Sequence, residues 1–251
     1  MIVALACAGT LAACGDASGV AKPPHTLEPG GSTAPPAKDA SGAERLVLRM
    51  RETGGIAGMG GPGALPGFSL YSTGRALTAA QGAQGKVTEY RLTPAALDRL
   101  LDGARAAGLG RSHTVSAGQV PDATVLEFTM GDARTRIVQP EGRSDPAVRF
   151  RARLDPRTWP ASDLASGPRP YEPSQVAVLA SPGAAADGPV RAWPLAPLGK
   201  GTTVGVGVCT LAAPAKVPAT SPGAAWRSGG KIYSVRLRPL LPDEHSCADL
   251  R

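Results

Sequence analysis

Residues 15–44 limit the fold more than any other part of the chain, because they cannot contribute to a hydrophobic core. The stretch is rich in Pro, Gly, Ser and Ala and has almost no large apolar side chain. Burying such a segment would not offset the conformational entropy lost on ordering it. The folded body is therefore expected within residues 45–251, which is enough chain for one core or two small lobes.

The segment before this stretch has the properties of an export signal. Residues 1–13 are uncharged and mostly apolar, yet too short to span a bilayer, which takes about 20 apolar residues. The sequence LAACG at 11–15 resembles the lipobox of bacterial lipoproteins, in which small residues precede an obligatory cysteine. We predict a signal segment at 1–13, a diacylglyceryl membrane anchor on Cys14 and a flexible tether at 14–44. The chain is then anchored to the extracytoplasmic face of the cell membrane.

The basic residues that normally open a signal segment are missing, so we expect the true start to lie upstream. Cys7 is a poorer lipidation candidate, because Ala4 stands three residues before it and almost no apolar segment precedes it. The alternative is that residues 1–13 form a buried strand and that Cys14 is an ordinary thiol.

Two cysteines remain once Cys7 is cleaved away and Cys14 carries lipid. These are Cys209 and Cys247. Two cysteines in an oxidising compartment usually pair, so we predict a disulfide between them. The alternative is a pair of buried free thiols.

The body begins with an alternating segment, Arg45–Glu52, in which apolar residues occupy one face and arginines the other. This pattern is typical of a half-buried strand. Turn signals at 72–74 and 131–132 each predict a hairpin. The predicted strands are 45–52, 68–71, 75–78, 86–92, 123–130, 134–139, 175–180 and 231–238, with a short apolar run at 204–211.

Start signals predict two helices. Thr93 is a favourable N-cap, Pro94 suits the first helical position, and Gly108 indicates the end of the helix. Asp145 and Pro146 repeat the same start. The residues expected to face the core are Leu97, Leu100, Leu101 and Ala104 in the first helix and Ala147, Phe150 and Leu154 in the second.

This order of elements predicts an α+β fold, in which an antiparallel sheet with hairpins is backed by two main helices. Residues 160–170 form a weak boundary, which leaves two alternatives: one continuous body, or two sub-lobes at 45–159 and 171–251 in tight contact. No later apolar stretch is long enough to span a membrane.

The formal charge of +7 suggests an anionic contact. For an exported chain we expect phospholipid headgroups or anionic wall polymers, and no nucleic acid. The densest basic stretch is predicted to form a solvated face. Its members are Arg134, Arg136, Arg143, Arg149, Arg151, Arg153 and Arg157.

The end of the chain carries a distinctive pattern. Trp226 is followed by a Gly-Gly turn and then by the run RPLLPDE at 238–244, shortly before Cys247. This pattern resembles a family of secreted actinobacterial lipoproteins, as do the segment FSLYSTGR at 68–75 and the helix after Thr93. The resemblance covers most of residues 45–251. It implies an exported lipoprotein with Cys209 as the second cysteine of the pair, and it implies no activity.

Two segments match the signatures of known chemistry. Residues 58–63 match G-x-G-x-x-G, but Pro62 and Pro66 forbid the helix that would bind a pyrophosphate. Ser228 and Lys231 match the S-x-x-K of penicillin-recognising enzymes. Here two glycines lead into a strand, so the lysine is expected several ångströms from the hydroxyl. Neither motif predicts catalysis.

The chain has three histidines. His25 lies in the tether, so a catalytic triad would have to use His113 or His245. Asp243, Glu244 and His245 could also ligate a cation, but adjacent residues of an extended chain point in different directions. We therefore expect no catalytic residue, no metal site and no cofactor.

These observations favour a cell-envelope lipoprotein whose body is a non-catalytic binding module for an envelope protein or a wall component. The rival hypothesis is an extracytoplasmic hydrolase or wall-modifying enzyme. It requires His113 or His245 in a cleft beside a serine or a carboxylate. A small-ligand-binding lipoprotein would need a deep apolar pocket.

Overall fold

The computed structural model describes residues 44–55, 60–79, 86–116, 118, 121–183, 189–221 and 224–250. Cys14, the predicted signal segment and nearly all of the predicted tether lie outside these residues. A compact unit extends over Ala43–Arg251. Neither of the described helices has the length and hydropathy needed to cross a membrane.

An eight-stranded sheet is built from residues 46–170. Its strands are β1 (Leu46–Gly54), β2 (Phe68–Tyr71), β3 (Arg75–Ala79), β4 (Val87–Leu92), β5 (His113–Val115), β6 (Thr124–Met130), β7 (Ala133–Val138) and β8 (Leu164–Pro170). They lie in the order β5-β7-β6-β1-β2-β3-β4-β8. Neighbours run antiparallel apart from β5 and β7, which are parallel.

A six-stranded sheet follows in residues 176–239. Its strands are β9 (Val176–Pro182), β10 (Val190–Ala192), β11 (Thr202–Val204), β12 (Gly207–Ala212), β13 (Ala225–Ser228) and β14 (Lys231–Pro239). They lie in the order β10-β13-β14-β9-β12-β11, with β10 and β13 parallel. The apolar run predicted at 204–211 is therefore a hairpin, and Gly205 adopts a positive φ in its turn.

Both predicted helices form where their start signals stand. They are α1 (Pro94–Ala106) and α2 (Pro146–Arg151), with single 3₁₀ turns at Ala152–Leu154, Pro156–Thr158, Ala161–Asp163, Pro214–Lys216 and Cys247–Leu250. The Thr93 hydroxyl accepts the N–H of Ala96, and the Asp145 carboxylate accepts the N–H of Ala147. Each helix thus begins with a satisfied backbone donor.

Both faces of the eight-stranded sheet are covered over its central strands, and β2 shows this most clearly because all four of its residues are buried. Phe68 and Leu70 pack in the cluster that also contains the apolar sides of α1 and α2. Ser69 and Tyr71 alternate with them and face the other side, where Tyr71 packs against Leu241.

The predicted disulfide is present. Cys209 in β12 joins Cys247 in the last 3₁₀ turn, and both residues are buried. Closing a loop with a sequence separation of 38 residues stabilises the folded state by about 4 kcal/mol in the loop-entropy model. The bond ties the end of the chain to the six-stranded sheet.

The predicted α+β class fits only in part. The antiparallel hairpins and two helices are present, but strands dominate the described residues and form two sheets instead of one. The additional strands lie mostly at or near sheet edges, where backbone pairing requires little apolar alternation. β8 illustrates the reason: it contains Gly167, Pro168 and Pro170 and is exposed along nearly its whole length. Prolines are tolerated in such an edge strand. Because glycine and proline are also typical of linkers, the composition of residues 164–170 predicted a boundary and not a strand.

Candidate functional site

The residues that follow β14 lie between the two sheets, and we call residues 240–246 the joining segment. Its two leucines pack in opposite directions. Leu240 belongs to a cluster with Ala177 and Cys209 of the six-stranded sheet. Leu241 belongs to a cluster with Tyr71 and Leu77 of the eight-stranded sheet. Both leucines are buried, so the segment supplies core residues to both sides.

A buried ion pair fixes the shape of the joining segment. The two terminal nitrogens of Arg238 donate to the two carboxylate oxygens of Glu244, at 2.6 and 2.8 Å. Both side chains are 1% exposed. The backbone N–H of Leu241 also donates to Glu244, at 2.8 Å. A buried carboxylate with this many donors is well satisfied, and removing one partner of such a pair typically costs about 3–5 kcal/mol.

The neighbouring Asp243 reaches the eight-stranded sheet. Its Oδ1 accepts from Arg49 Nη2 and from the Tyr71 hydroxyl, each at 2.7 Å. Burial raises the pKa of Tyr71, and the charge of Asp243 and the hydrogen bond to it raise that pKa further. The phenol therefore stays protonated and acts as a donor. Arg49 was expected on an outer face of β1, but that face meets the joining segment.

A second buried carboxylate, Glu89 in β4, lies on the same side of the eight-stranded sheet. It is 2% exposed and accepts from Arg75 at 2.8 Å and from Arg169 at 2.6 Å. Burial acts to raise the pKa of Glu89, but the hydrogen bonds from the two arginines outweigh it and hold the pKa below the ordinary value. The site is a structural anchor for the edge strand β8, which carries Arg169.

The described residues also form a cleft of about 280 Å³ beside α1. Its lining residues are Leu92, Ala96, Arg99, Leu100, Arg153, Thr158, Trp159, Pro160 and Asp163. Arg99 and Asp163 form an ion pair of 2.5 Å. The cleft thus combines an apolar helix face with an aromatic ring and a pair of opposite charges.

Trp159 is held in place by its neighbours. Its indole N–H donates to the Arg153 carbonyl at 2.8 Å, and its ring makes edge contacts with Phe68 and Tyr90. Arg153 lies along α1 above Gly103, where an added Cβ would come within 2.4 Å of the guanidinium. A glycine at this position therefore lets the Arg153 side chain lie against the helix.

The two described histidines do not form a triad. His113 is exposed on the edge strand β5, and its Nδ1 lies 3.0 Å from the Arg111 carbonyl and 3.4 Å from the Thr135 hydroxyl. His245 is also exposed, and its backbone N–H donates to Asp249. The Asp249 carboxylate also accepts directly from the backbone N–H and the hydroxyl of Ser246. These bonds close a turn. A catalytic triad would instead need an imidazole between the serine and the aspartate.

The S-x-x-K match at 228–231 has a structural explanation. Gly229 and Gly230 form the turn between β13 and β14, which makes Ser228 and Lys231 direct cross-strand partners. The Ser228 hydroxyl accepts the N–H of Leu198.

The glycine-rich motif at 58–63 is described only from Gly60 onward. Gly63 donates its N–H to the Leu250 carbonyl at 2.7 Å, so this loop packs against the end of the chain.

The acidic residues before His245 point in different directions, as their separate partners show. Asp243 contacts Arg49 and Tyr71, whereas Glu244 contacts Arg238. No cluster of three metal-ligating side chains occurs among the described residues.

The arginine-rich stretch does not form one solvated face. Arg143, Arg151 and Arg157 donate to Gln139, Glu52 and Asp155, respectively. Arg153 lines the cleft. Arg134 and Arg136 are exposed on β7, on the sheet face opposite to the helices. The local sequence could not separate these roles, because they depend on which sheet face each residue meets.

Comparison with protein-family models, curated proteins and solved structures found no match for this chain. The resemblance to actinobacterial lipoproteins therefore rests on the quoted residues alone. Sequence reasoning missed the cleft, whose aromatic residue Trp159 lies just before the predicted boundary at 160–170. Its one signal was a tryptophan in a region otherwise rich in small and polar residues.

Replacing Glu89 by glutamine should lower the free energy of unfolding at neutral pH by about 1–3 kcal/mol, because two arginines lose their charged acceptor. Since the folded-state pKa of Glu89 is lowered, its contribution is present above the unfolded-state pKa and is lost as the pH falls through the folded-state value. The difference between wild type and Glu89→Gln should therefore shrink in acid.

Urea unfolding at several pH values measures this difference. Glu141→Gln, at an exposed position, is the matched control and should change stability little at any pH. A wild-type advantage that is constant down to the acid limit would contradict the assigned role of Glu89.

Proposed function

We propose that this chain is an exported, lipid-anchored protein of the cell envelope whose folded body is a non-catalytic binding module for a wall component. The lipobox resemblance around Cys14 supports the anchor, and the composition of 14–44 supports a flexible tether between anchor and body. The cleft beside Trp159 is the observation that carries the binding role.

The disulfide supports the compartment. Disulfides persist in oxidising environments outside the cytoplasm and are rare within it. Cys209 and Cys247 are joined and buried, and their bond holds the end of the joining segment. A fold that depends on this bond is suited to the extracytoplasmic side of the membrane.

The composition of the cleft fits a saccharide fragment of the wall. A sugar ring has an apolar face of C–H groups and a rim of hydroxyls. Trp159 offers apolar aromatic surface, while Arg99 and Asp163 offer a donor and an acceptor for hydroxyls. The volume of about 280 Å³ lies just below the usual range of small-ligand sites, which suits one ring of a longer chain.

The rival hydrolase hypothesis finds less support in the same cleft. Glycoside hydrolysis generally uses two carboxylates on either side of the scissile bond. The lining of this cleft includes one, Asp163, and that carboxylate is paired with Arg99. His113 and His245 are exposed outside its lining. The arrangement favours binding over bond cleavage.

The anchor is tested by growing cells that express the chain with radiolabelled palmitate. Wild type and Cys7→Ala should both be labelled, and Cys14→Ala should lose the label and leave the membrane fraction. Cys7→Ala is the matched control, because it removes the other cysteine of the N-terminal segment. An unlabelled wild type, or a fully labelled Cys14→Ala variant, would remove the basis of the proposed location.

Binding in the cleft is tested by calorimetric titration of the purified chain with soluble glycan fragments of the cell wall. Arg99→Gln should weaken binding by about tenfold, which is the effect of losing one hydrogen bond to a charged group. Arg105→Gln is a matched control on the same helix, because Arg105 is similarly exposed and also pairs with an aspartate. Equal affinities of the two variants would contradict the site, and cleavage of the fragments would favour the hydrolase.

A further inference from the structure

One face of the eight-stranded sheet carries an array of arginines. Arg51 in β1, Glu127 in β6 and Arg136 in β7 are consecutive cross-strand partners. Cross-strand partners point to the same side of a sheet. The side opposite to this array is covered by the helices, because Leu126 and Ile137, which alternate with the charged residues, pack in the helical cluster.

A second row lies beside the first. Arg49, Thr129 and Arg134 are the corresponding partners one step along the strands. Arg134 and Arg136 are exposed. This part of the sheet face is therefore open to solvent over β7, and it ends at the joining segment, where Arg49 contacts Asp243.

Arg51 occupies the inner end of this face, near the carboxylates of Glu127 and Glu244. Its neighbours Arg49 and Arg238 are paired with Asp243 and Glu244, but Arg51 itself forms no ion pair or hydrogen bond within the described part of the chain. Burial lowers the pKa of Arg51, and the charges of Arg49 and Arg238 lower it further, whereas the charges of Glu244 and Glu127 raise it. The net direction is downward, so the positive charge of this half-buried side chain is not fully balanced and a bound anion would stabilise it.

The unpaired charges on this face are mainly positive. Arg51, Arg134 and Arg136 have no ion-pair partner among the described residues, and Glu127 is the carboxylate between them. Adjacent strands are about 4.8 Å apart, so Arg51 and Arg136 start about 10 Å from each other across Glu127. Arginine side chains spanning this distance can contact successive oxyanions of one chain, and the guanidinium fork suits phosphate oxygens.

We propose that this arginine face binds a linear phosphodiester polymer of the cell wall, with one phosphate at Arg51 and the next at Arg134 and Arg136. The proposal rests on the envelope location proposed above, but it concerns a different surface from the cleft. It assigns a role to arginines that have no ion-pair partner within the part of the chain that the structure describes.

A chain fits this face better than a membrane surface. Arg51 is half-buried near the buried pair of Arg238 and Glu244, whereas Arg134 and Arg136 are exposed. A flexible chain can contact arginines at both depths, but a flat layer of headgroups meets only the exposed pair. Single-stranded nucleic acid is a poorer fit, because the residues of the two rows include no aromatic ring on which bases could stack.

The test is fluorescence anisotropy of labelled poly(glycerol phosphate) titrated with the purified full chain. Arg51→Gln and the double variant Arg134→Gln/Arg136→Gln should each weaken binding by about tenfold or more. The salt dependence of binding should also become less steep in the double variant, because fewer phosphates are neutralised. The matched control is Arg191→Gln/Arg227→Gln, two exposed arginines on the paired strands β10 and β13 of the other sheet.

Arg51→Lys keeps the charge but removes the guanidinium fork, and it should bind with intermediate affinity. Binding of glycan fragments in the cleft should be unchanged in all these variants, which shows that they are folded and separates this surface from the cleft. Equal weakening in the control variant would overturn the proposal. Tighter binding of phosphatidylglycerol vesicles or an oligonucleotide of equal charge would also overturn it, since either would indicate another class of partner.

Discussion

The ion pair between Arg238 and Glu244 is the contact on which the rest of the structure depends. It closes the joining segment into a compact turn inside the protein, where both side chains are 1% exposed. With that turn fixed, Leu240 packs toward one sheet and Leu241 toward the other. Buried charges of this kind are costly to desolvate, so their gain here is geometric: they hold two apolar residues in opposite directions.

The helices and the disulfide could be predicted because their signals are local or compositional. Thr93 and Asp145 cap their helices as expected, and Cys209 and Cys247 were the pair that remained once Cys14 was assigned to the predicted anchor. The edge strands could not be predicted in the same way. β8 pairs through its backbone and carries two prolines and little apolar surface, so its sequence resembles a linker until the partner strand is known.

The two proposed binding surfaces could not be predicted from the sequence for a related reason. Arg49 and Asp243 are 194 residues apart in the chain, and an alternating strand by itself places Arg49 and Arg51 on a solvated face. The end of β14 and the joining segment meet part of that face, and they leave Arg51 near Arg49 and Arg238. Trp159 likewise gains its setting from α1 and β4. Long-range packing thus decides which charges are neutralised. The pattern of apolar residues along a strand does not predict that packing.

Hydrogen exchange of the Glu244→Ala variant tests the joining role most directly. In the wild type, backbone amides of β2 and β9 should exchange with similar free energies of opening, because the two sheets unfold together. In the variant, Arg238 is left as an uncompensated buried charge, so β9 should lose about 3–5 kcal/mol of protection while β2 keeps most of its own. Equal loss in both strands, or no loss in either, would contradict the account.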